Sequence, residues 1–140
     1  DQARIKYDPE RVAGDRYQFD LLGASLALAH APLGSRIEEG LRLRLDGHVQ
    51  LQWPAPDASV LLLHNLSAGR HAVELEYGGE SGELDVELQG GRVLTVAFRL
   101  RNRLFFTQLD LEVHQEQIQV GDWQRRFSDL KIEEEYLGVP

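Results

Sequence analysis

The chain has 140 residues, of which 42% are hydrophobic and 27% are charged, as is usual for a folded globular protein. This length fits one domain better than two, so we expect a single domain over residues 1–140. The 23 acidic residues outnumber the 15 Lys and Arg residues and give a formal net charge of -8. A negative field of this kind repels phosphate backbones and anionic lipid headgroups, and therefore disfavours nucleic-acid and membrane-surface binding.

Cysteine is absent from the sequence, which excludes a disulfide framework, a thiolate nucleophile and a cysteine-based zinc site. The longest wholly aliphatic run, residues 60–63, is far shorter than the roughly 20 residues that a membrane-spanning helix needs, so no membrane span is expected. The chain contains no methionine and begins at Asp1. We expect a processed mature form or a shortened chain, and removal of a secretory signal would explain such a start.

The first forty residues carry helical signals. Residues 21–31 are rich in Ala and Leu and predict a short N-terminal helix, which Gly23 weakens. Ser35 is followed by Glu38 three positions later, a capping-box pattern, and Gly40 follows as a helix stop. We therefore also expect a single helical turn after Ser35.

From residue 41 onward, apolar and polar side chains alternate with a period of two, which indicates strands with one buried face. The first two runs flank Asp46-Gly47, which is a strong β-hairpin signal. A three-residue loop over residues 45–47 sets Leu43 opposite Val49 and keeps the apolar side chains on one face. Gly47 then takes the left-handed position of a bulged turn, because it has no Cβ to clash there.

Further alternating runs follow, separated by polar or Gly-rich turns: 73–77, 84–88, 94–100, 109–113 and 118–120. Strands of about six residues linked by such turns are typical of β-sandwiches. Most runs have one apolar face and one polar face, as in an antiparallel sheet whose other side meets water. The sequence therefore predicts a mainly β fold, an antiparallel β-sandwich of the immunoglobulin-like or a related kind, with one short N-terminal helix.

Residues 41–100 resemble a known family. The motifs that carry the resemblance are a strand ending in Leu45-Asp46-Gly47, an apolar strand over residues 60–64, the turn Leu66-Ser67-Ala68-Gly69-Arg70-His71, and two strands joined at Gly90-Gly91. This order resembles the PEGA domain, a small β-sandwich repeat, and more distantly other immunoglobulin-like modules of bacterial envelope and sensor proteins. The resemblance implies a non-catalytic, periplasmic or secreted module used for envelope association, scaffolding or ligand presentation. It transfers no functional residues, and residues 66–69 stand in place of the tetrapeptide that names the family.

Basic and aromatic residues are interleaved after the 94–100 run. Arg99, Arg101 and Arg103 alternate and are followed by Phe105 and Phe106. Such a pattern can bind nucleic acid or an acidic glycan. Because the whole chain is acidic, a solvated strand face is the favoured interpretation, and Arg101 and Arg103 are candidate ligand-binding residues.

The two tryptophans differ in their surroundings. Trp53 continues the apolar face of its strand, which favours a core position. Trp123 follows a Gly-Asp pair typical of a turn, which makes it the better candidate for the surface, although its spacing to Phe127 and Leu130 is helical. An exposed aromatic side chain can stack on a sugar ring. Trp123, together with Tyr136, is therefore the predicted carbohydrate-binding pair.

The residues able to do chemistry form no catalytic or metal-binding pattern. The five histidines lack the short spacings of zinc sites, and no serine lies in a nucleophile elbow. His64 and His71 flank one predicted turn and could approach each other as a pH-sensitive pair, but two turn histidines are the simpler interpretation. We therefore expect no enzymatic activity and no cofactor.

The leading functional hypothesis is a non-catalytic binding or scaffold module of the bacterial cell envelope, whose partner is a protein or an envelope polysaccharide. A sheet edge offers unpaired backbone groups to which a partner strand can bind. Two alternatives stay open. One is a carbohydrate-binding module that uses exposed aromatic side chains, and the other is a small inhibitor or accessory subunit of an envelope enzyme.

Overall fold

The computed structural model describes residues 23–38, 40–47, 49–53 and 57–137. Residues 21–22 of the predicted helix lie outside these ranges, and the side chain of Trp53 is also outside what is described. The described ranges contain nine strands and one helix: β1 Ala24–His30, β2 Leu41–Leu45, β3 Val49–Trp53, β4 Val60–Leu66, β5 Gly69–Tyr77, β6 Glu80–Leu88, β7 Arg92–Asn102, β8 Thr107–Gln119, α1 Val120–Arg126 and β9 Ile132–Tyr136. They contain no helix long and apolar enough to cross a membrane.

The strands form a five-stranded sheet in the order β8-β7-β1-β4-β9 and a four-stranded sheet in the order β3-β2-β5-β6. All pairings in the four-stranded sheet are antiparallel, whereas β1 runs parallel to β7 and β4 parallel to β9. The predicted mainly β fold is confirmed. The prediction of wholly antiparallel pairing is wrong, because these two pairs are joined through other elements rather than through hairpins, and long connections permit parallel neighbours.

Both sheets contribute to one shared core. It includes Leu26 and Leu28 of β1 and Phe98 of β7 from the five-stranded sheet, with Leu43 of β2 and Leu75 of β5 from the four-stranded sheet. Burying a side chain of this size contributes about 1.5–3 kcal/mol. The shared core is therefore the main stabilising contact between the two sheets.

β1 is buried on both faces. Leu26 and Leu28 contact the shared core, whereas Ala27 and Ala29 contact a second apolar cluster on the opposite side of the sheet. A strand that is covered on both sides shows no polar alternation, and its sequence cannot be told from that of a buried helix by periodicity alone. The prediction of an N-terminal helix is therefore wrong over Ala24–His30.

The predicted helical turn after Ser35 is also wrong. Residues 31–34 form a turn, in which the N–H of Ser35 donates to the carbonyl oxygen of Pro32 at 3.0 Å, and residues 35–38 have no regular structure. Ile37 is buried in the shared core, and its N–H donates to the carbonyl oxygen of Ala58 at 2.8 Å. The burial of Ile37 and this long-range hydrogen bond take the place of a local helix.

α1 covers the outer face of the five-stranded sheet. Trp123 is wholly buried there, where its Nε1 donates to Oγ1 of Thr95 at 2.9 Å and its ring lies 4.6 Å from that of Phe127. The small side chains of Ala27 and Ala29 face the same cluster and leave room for the indole. The predicted surface position of Trp123 is therefore wrong. Its predicted helical spacing holds only as far as the end of α1, because Phe127 is the C-cap and Leu130 lies beyond the helix.

The turn at Asp46-Gly47 joins β2 to β3, but in a register that differs from the predicted one. Leu45 rather than Leu43 lies opposite Val49. Gly47 has a φ of 72°, as predicted, and Asp46 is also left-handed with a φ of 54°. The N–H and carboxylate of Asp46 bind the backbone of Ala72 on β5 at 2.8 and 2.7 Å, which keeps Leu45 in the strand rather than in the loop.

Candidate functional site

Three polar side chains form a hydrogen-bonded chain across adjacent strands of the five-stranded sheet. Ser25 lies on β1, His64 on β4 and Glu134 on β9. Oγ of Ser25 is 3.0 Å from Nδ1 of His64, and Nε2 of His64 is 2.9 Å from Oε1 of Glu134. An ionised carboxylate only accepts hydrogen bonds, so Nε2 carries a proton in this contact. When the ring is neutral, Nδ1 therefore accepts from the hydroxyl of Ser25.

Strand pairing brings these side chains together. The parallel pairing of β4 with β9 sets Tyr136 opposite His64 and Glu134 opposite Leu62, so that Glu134 lies on the same face of the sheet as His64. The antiparallel pairing of β1 with β4 shifts register between Ala24 and Leu26. A bulge of this kind redirects a side chain. Ser25 lies at this shift, and its hydroxyl reaches His64.

Ser25 and His64 line a cavity of about 200 Å³, named here the Ser25 pocket. Gly23, Val120 and Gln124 form further parts of its wall, together with Tyr136. The ring of Tyr136 stacks on that of His64 with centroids 4.5 Å apart, although 67% of the residue stays exposed. The Ser25 pocket therefore combines hydrogen-bonded polar groups with apolar walls that are open to solvent.

The same region attaches β9 to the sheet. The N–H of Leu137 donates to the carbonyl oxygen of His64 at 3.1 Å, and Nδ2 of Asn65 donates to the carbonyl oxygen of Leu137 at 2.7 Å. β9 is an edge strand, and four of its five residues are exposed. The backbone pairing with β4, the packing of Ile132 and Leu137 against the two apolar clusters, and the contacts made by His64 together hold β9.

A second histidine cluster lies on the four-stranded sheet. Nδ1 of His71 is 2.7 Å from Oδ2 of Asp46, and Nε2 is 2.8 Å from the carbonyl oxygen of Ser67 and 3.2 Å from its hydroxyl. A ring that donates from both nitrogens satisfies the carboxylate and the carbonyl together. The cluster thus joins the β2–β3 turn to the β4–β5 turn. His64 and His71 have separate partners and do not form the pair that the sequence suggested.

The β7–β8 hairpin projects beyond the rest of the five-stranded sheet. β1 ends at His30, which lies opposite Phe98 of β7. The hairpin continues past this point, with pairing between β7 and β8 as far as Asn102 and Thr107. It ends in an apolar tip whose three residues are 86%, 89% and 62% exposed: Leu104, Phe105 and Phe106.

Close contacts with the β5–β6 hairpin hold the stem of this projection. A Cβ added to Gly82 would lie 2.8 Å from the carbonyl oxygen of Leu109, and one added to Gly78 would lie 2.6 Å from the side chain of Leu100. Glycine permits this approach because it has no Cβ. The four-stranded sheet therefore supports the stem, and the apolar tip extends from a fixed base.

The four predicted ligand-binding residues do not form one site. Arg101 and Arg103 come together on the stem of the hairpin, where both form ion pairs with Asp110. Tyr136 lines the Ser25 pocket, and Trp123 is buried beneath α1. Because β1 begins at the pocket and runs parallel to β7, the Ser25 pocket and the apolar tip lie at opposite ends of the five-stranded sheet.

The hydrogen-bonded chain was missed by the sequence analysis. Ser25 is a polar residue within an Ala/Leu run, and His64 follows four aliphatic residues. A polar side chain in a buried run needs a hydrogen-bonding partner, and this signal could have found both residues. Glu134 stands between Glu133 and Glu135, and only the strand register distinguishes it from them.

No family model, curated protein or solved structure matches this chain. Among the residues that the structure describes, no group of three or more His, Asp or Glu side chains is placed to hold a metal ion. The Ser25 pocket and the apolar tip are the two candidate functional surfaces.

Proposed function

We propose that this protein is a non-catalytic binding module that docks onto a partner protein through the apolar tip. The exposure of three consecutive large apolar side chains carries this proposal. Moving one such side chain from water into a protein contact contributes about 1.5–3 kcal/mol. Contiguous exposed apolar side chains mark interaction sites, and a tip on a supported stem loses less conformational entropy on binding than a flexible loop does.

The charge of the stem favours a partner pocket with acidic groups at its rim. Residues 99–110 contain three arginines and one aspartate, a net charge of +2, within a chain of net charge -8. Arg103 lies directly beside the apolar tip. The acidic total repels an anionic lipid surface, so we assign the tip to a protein pocket rather than to a bilayer.

We further propose that the two sheets form a β-sandwich of the immunoglobulin-like or a related kind, located in the periplasm or secreted. The core shared by both sheets supports the sandwich. Residues 41–100, which resemble the PEGA domain, form β2 to β6 and most of β7. The extracytoplasmic location follows from this resemblance and stays a prediction.

The surroundings of Ser25 support a non-catalytic role for its pocket. A serine, a histidine and a carboxylate are also the groups of a hydrolase triad. Ser25, however, is only 3% exposed and lies on β1, which has neighbours on both sides, rather than on the sharp strand-to-helix turn of a nucleophile elbow. We assign the hydrogen-bonded chain to holding β9 in place.

Only one of the two aromatic residues in the carbohydrate-binding alternative is exposed. Trp123 is buried, and Tyr136 stacks on His64 rather than beside a second exposed aromatic ring that could widen a sugar platform. The proposal therefore uses the apolar tip rather than these two aromatics.

Photo-crosslinking from the tip tests the proposal. A photoreactive benzoylphenylalanine at position 105 is compared with the same group at position 113, where Val113 is a half-exposed apolar residue of β8. After irradiation in envelope extract, we expect position 105 to give a protein adduct whose attachment point, mapped by mass spectrometry, lies in an apolar pocket bordered by acidic residues. Position 113 serves as the matched control and should give little adduct. Attachment to lipid alone, or equal yields at the two positions, would contradict the proposal.

A further inference from the structure

We infer that the partner is a second copy of this chain, and that the apolar tip of one copy inserts into the Ser25 pocket of the next. This inference rests on the proposed function, because it names the protein to which the tip binds. The required partner chemistry, an apolar pocket beside acidic groups, is present on this molecule itself: the Ser25 pocket lies beside the exposed acidic strand β9.

The Ser25 pocket has the size and lining for one aromatic ring. Its volume is about 200 Å³, and a cavity of about 150 Å³ can hold benzene. Val120 and the exposed ring of Tyr136 provide apolar contacts, and aromatic rings stabilise each other in offset or edge-to-face arrangements. Ser25 and His64 already bind each other, so an incoming phenylalanine ring leaves neither of them without a hydrogen bond.

The charges around the two surfaces are complementary. The stem of the tip has a net charge of +2 over residues 99–110, whereas β9 carries three consecutive exposed acidic residues, of which Glu134 lies on the face of the sheet that holds the pocket. Two copies with a net charge of -8 repel each other in most orientations. Opposite charges meet when the stem of one copy approaches β9 of the other, and such complementarity selects the orientation of binding.

The positions of the two surfaces determine the kind of assembly. The apolar tip and the Ser25 pocket lie at opposite ends of the five-stranded sheet. A contact between different surfaces on two copies is heterologous, and unless the rotation between copies closes a ring it leaves one tip and one pocket free at the ends of each assembly. We therefore expect head-to-tail chains whose mean length grows with protein concentration.

Two one-sided variants of the full chain test this inference. The tip variant carries Phe105→Ser and Phe106→Ser. The pocket variant carries Gln124→Trp, which fills the Ser25 pocket from the exposed face of α1 without changing Ser25, His64 or Glu134. Mass is measured by light scattering and sedimentation over a range of concentrations, with Val113→Ser as the control for loss of an exposed apolar side chain elsewhere on β8. Circular dichroism checks that each variant keeps the wild-type fold.

The wild type and Val113→Ser should exceed the mass of two copies as concentration rises. Each one-sided variant alone should stay monomeric, with an apparent dissociation constant raised by at least about tenfold, because losing a central apolar contact removes much of the binding energy. An equimolar mixture of the two variants should form a 1:1 dimer and grow no further, because it contains one working tip and one working pocket per pair.

Three results would overturn the inference. A pocket variant that assembles like the wild type would show that the tip binds another surface of this chain. A wild-type mass that levels off at two copies would contradict the head-to-tail arrangement. A wild type that stays monomeric at every concentration, while position 105 still crosslinks to a different protein, would overturn the choice of partner and leave the proposed function intact.

Discussion

Two regions of the molecule hold the same three kinds of side chain in hydrogen-bonded sets of one serine, one histidine and one carboxylate: Ser25–His64–Glu134 and Ser67–His71–Asp46. In both sets the histidine side chain is 9% exposed and the carboxylate side chain is 41% exposed. Neither composition nor burial of the acid–base pair distinguishes them. The two sets differ in the structural elements that they connect.

The His64 set crosses three strands and reaches the edge strand β9, whereas the His71 set joins the β2–β3 turn to the β4–β5 turn, which connects the two sheets. Ser25 is buried, and Ser67 is exposed to solvent. His71 also faces a backbone carbonyl that keeps its position if the serine side chain is removed. A set of residue types thus acquires its role from the elements it links: Ser25 and His64 line the Ser25 pocket, whereas Asp46 and His71 line a separate surface cavity.

Replacing each histidine with alanine should separate the two sets most strongly. We expect His64→Ala to lower the free energy of unfolding by about 2–3 kcal/mol, because it removes the stacking with Tyr136 and leaves the buried hydroxyl of Ser25 without its partner. His71→Ala should cost about 1 kcal/mol, since Asp46 still accepts from the N–H of Ala72. Urea denaturation measures both losses.

Hydrogen exchange shows where in the structure each histidine replacement has its effect. In His64→Ala the backbone amides of β9 should exchange faster than in the wild type, because the strand has lost a contact that holds it to β4. His71→Ala is the matched control and should leave β9 protected. Equal stability losses in the two variants, with β9 protected in both, would mean that His64 does not hold the edge strand.

Replacing the two serines should give a smaller difference. Ser25→Ala should lower the free energy of unfolding by about 1–2 kcal/mol, since it leaves Nδ1 of buried His64 without a hydrogen bond. Ser67→Ala should cost less than about 0.5 kcal/mol, because the carbonyl oxygen of Ser67 still binds His71.

The wild type treated with a fluorophosphonate probe should show no adduct by mass spectrometry. An adduct on Ser25 that is absent in Ser25→Ala would contradict the non-catalytic role.

The strands that could be predicted from sequence are those with one face exposed to solvent. In β2, Leu41, Leu43 and Leu45 are buried while Arg42 and Arg44 are exposed, and the sequence shows this alternation directly. β1 could not be predicted in this way, because the shared core covers one of its faces and α1 covers the other. Apolar and polar residues alternate along a strand when one of its faces contacts water, and the alternation disappears when both faces are buried.

Long-range packing also decides which site residues could be predicted from the sequence. The exposure of Phe105 and Phe106 agrees with their position beside an interleaved run of arginines, which the sequence made visible. Trp123 follows a turn-like pair of residues, but long-range packing buries it. Glu134 can be distinguished from the acidic residues on either side only once β9 is paired with β4. Local residue types thus indicated the basic and aromatic run but predicted neither the exposed apolar tip nor the pocket, because the tip depends on where β1 ends and the pocket depends on strand order.

The smallest effect is expected from the exposed ion pair at the other end of the strand that His64 holds. Lys131, which precedes β9, lies with its Nζ 3.0 Å from Oδ2 of Asp57. The hydrogen bond and the positive charge of Lys131 lower the pKa of Asp57 below its ordinary value of 3.8. A carboxyl whose pKa is lower in the folded state contributes stability above its unfolded pKa and loses it as pH falls through the folded value.

Asp57→Asn should therefore be slightly less stable than the wild type at neutral pH, and the difference should vanish as pH is lowered through and below 3.8. Because both side chains are about 70% exposed, added salt should reduce the difference as well. Thermal unfolding at several pH values, with Asp129→Asn as a control at another exposed aspartate, measures it. A difference that persists in acid would show that Asp57 acts through something other than its charge.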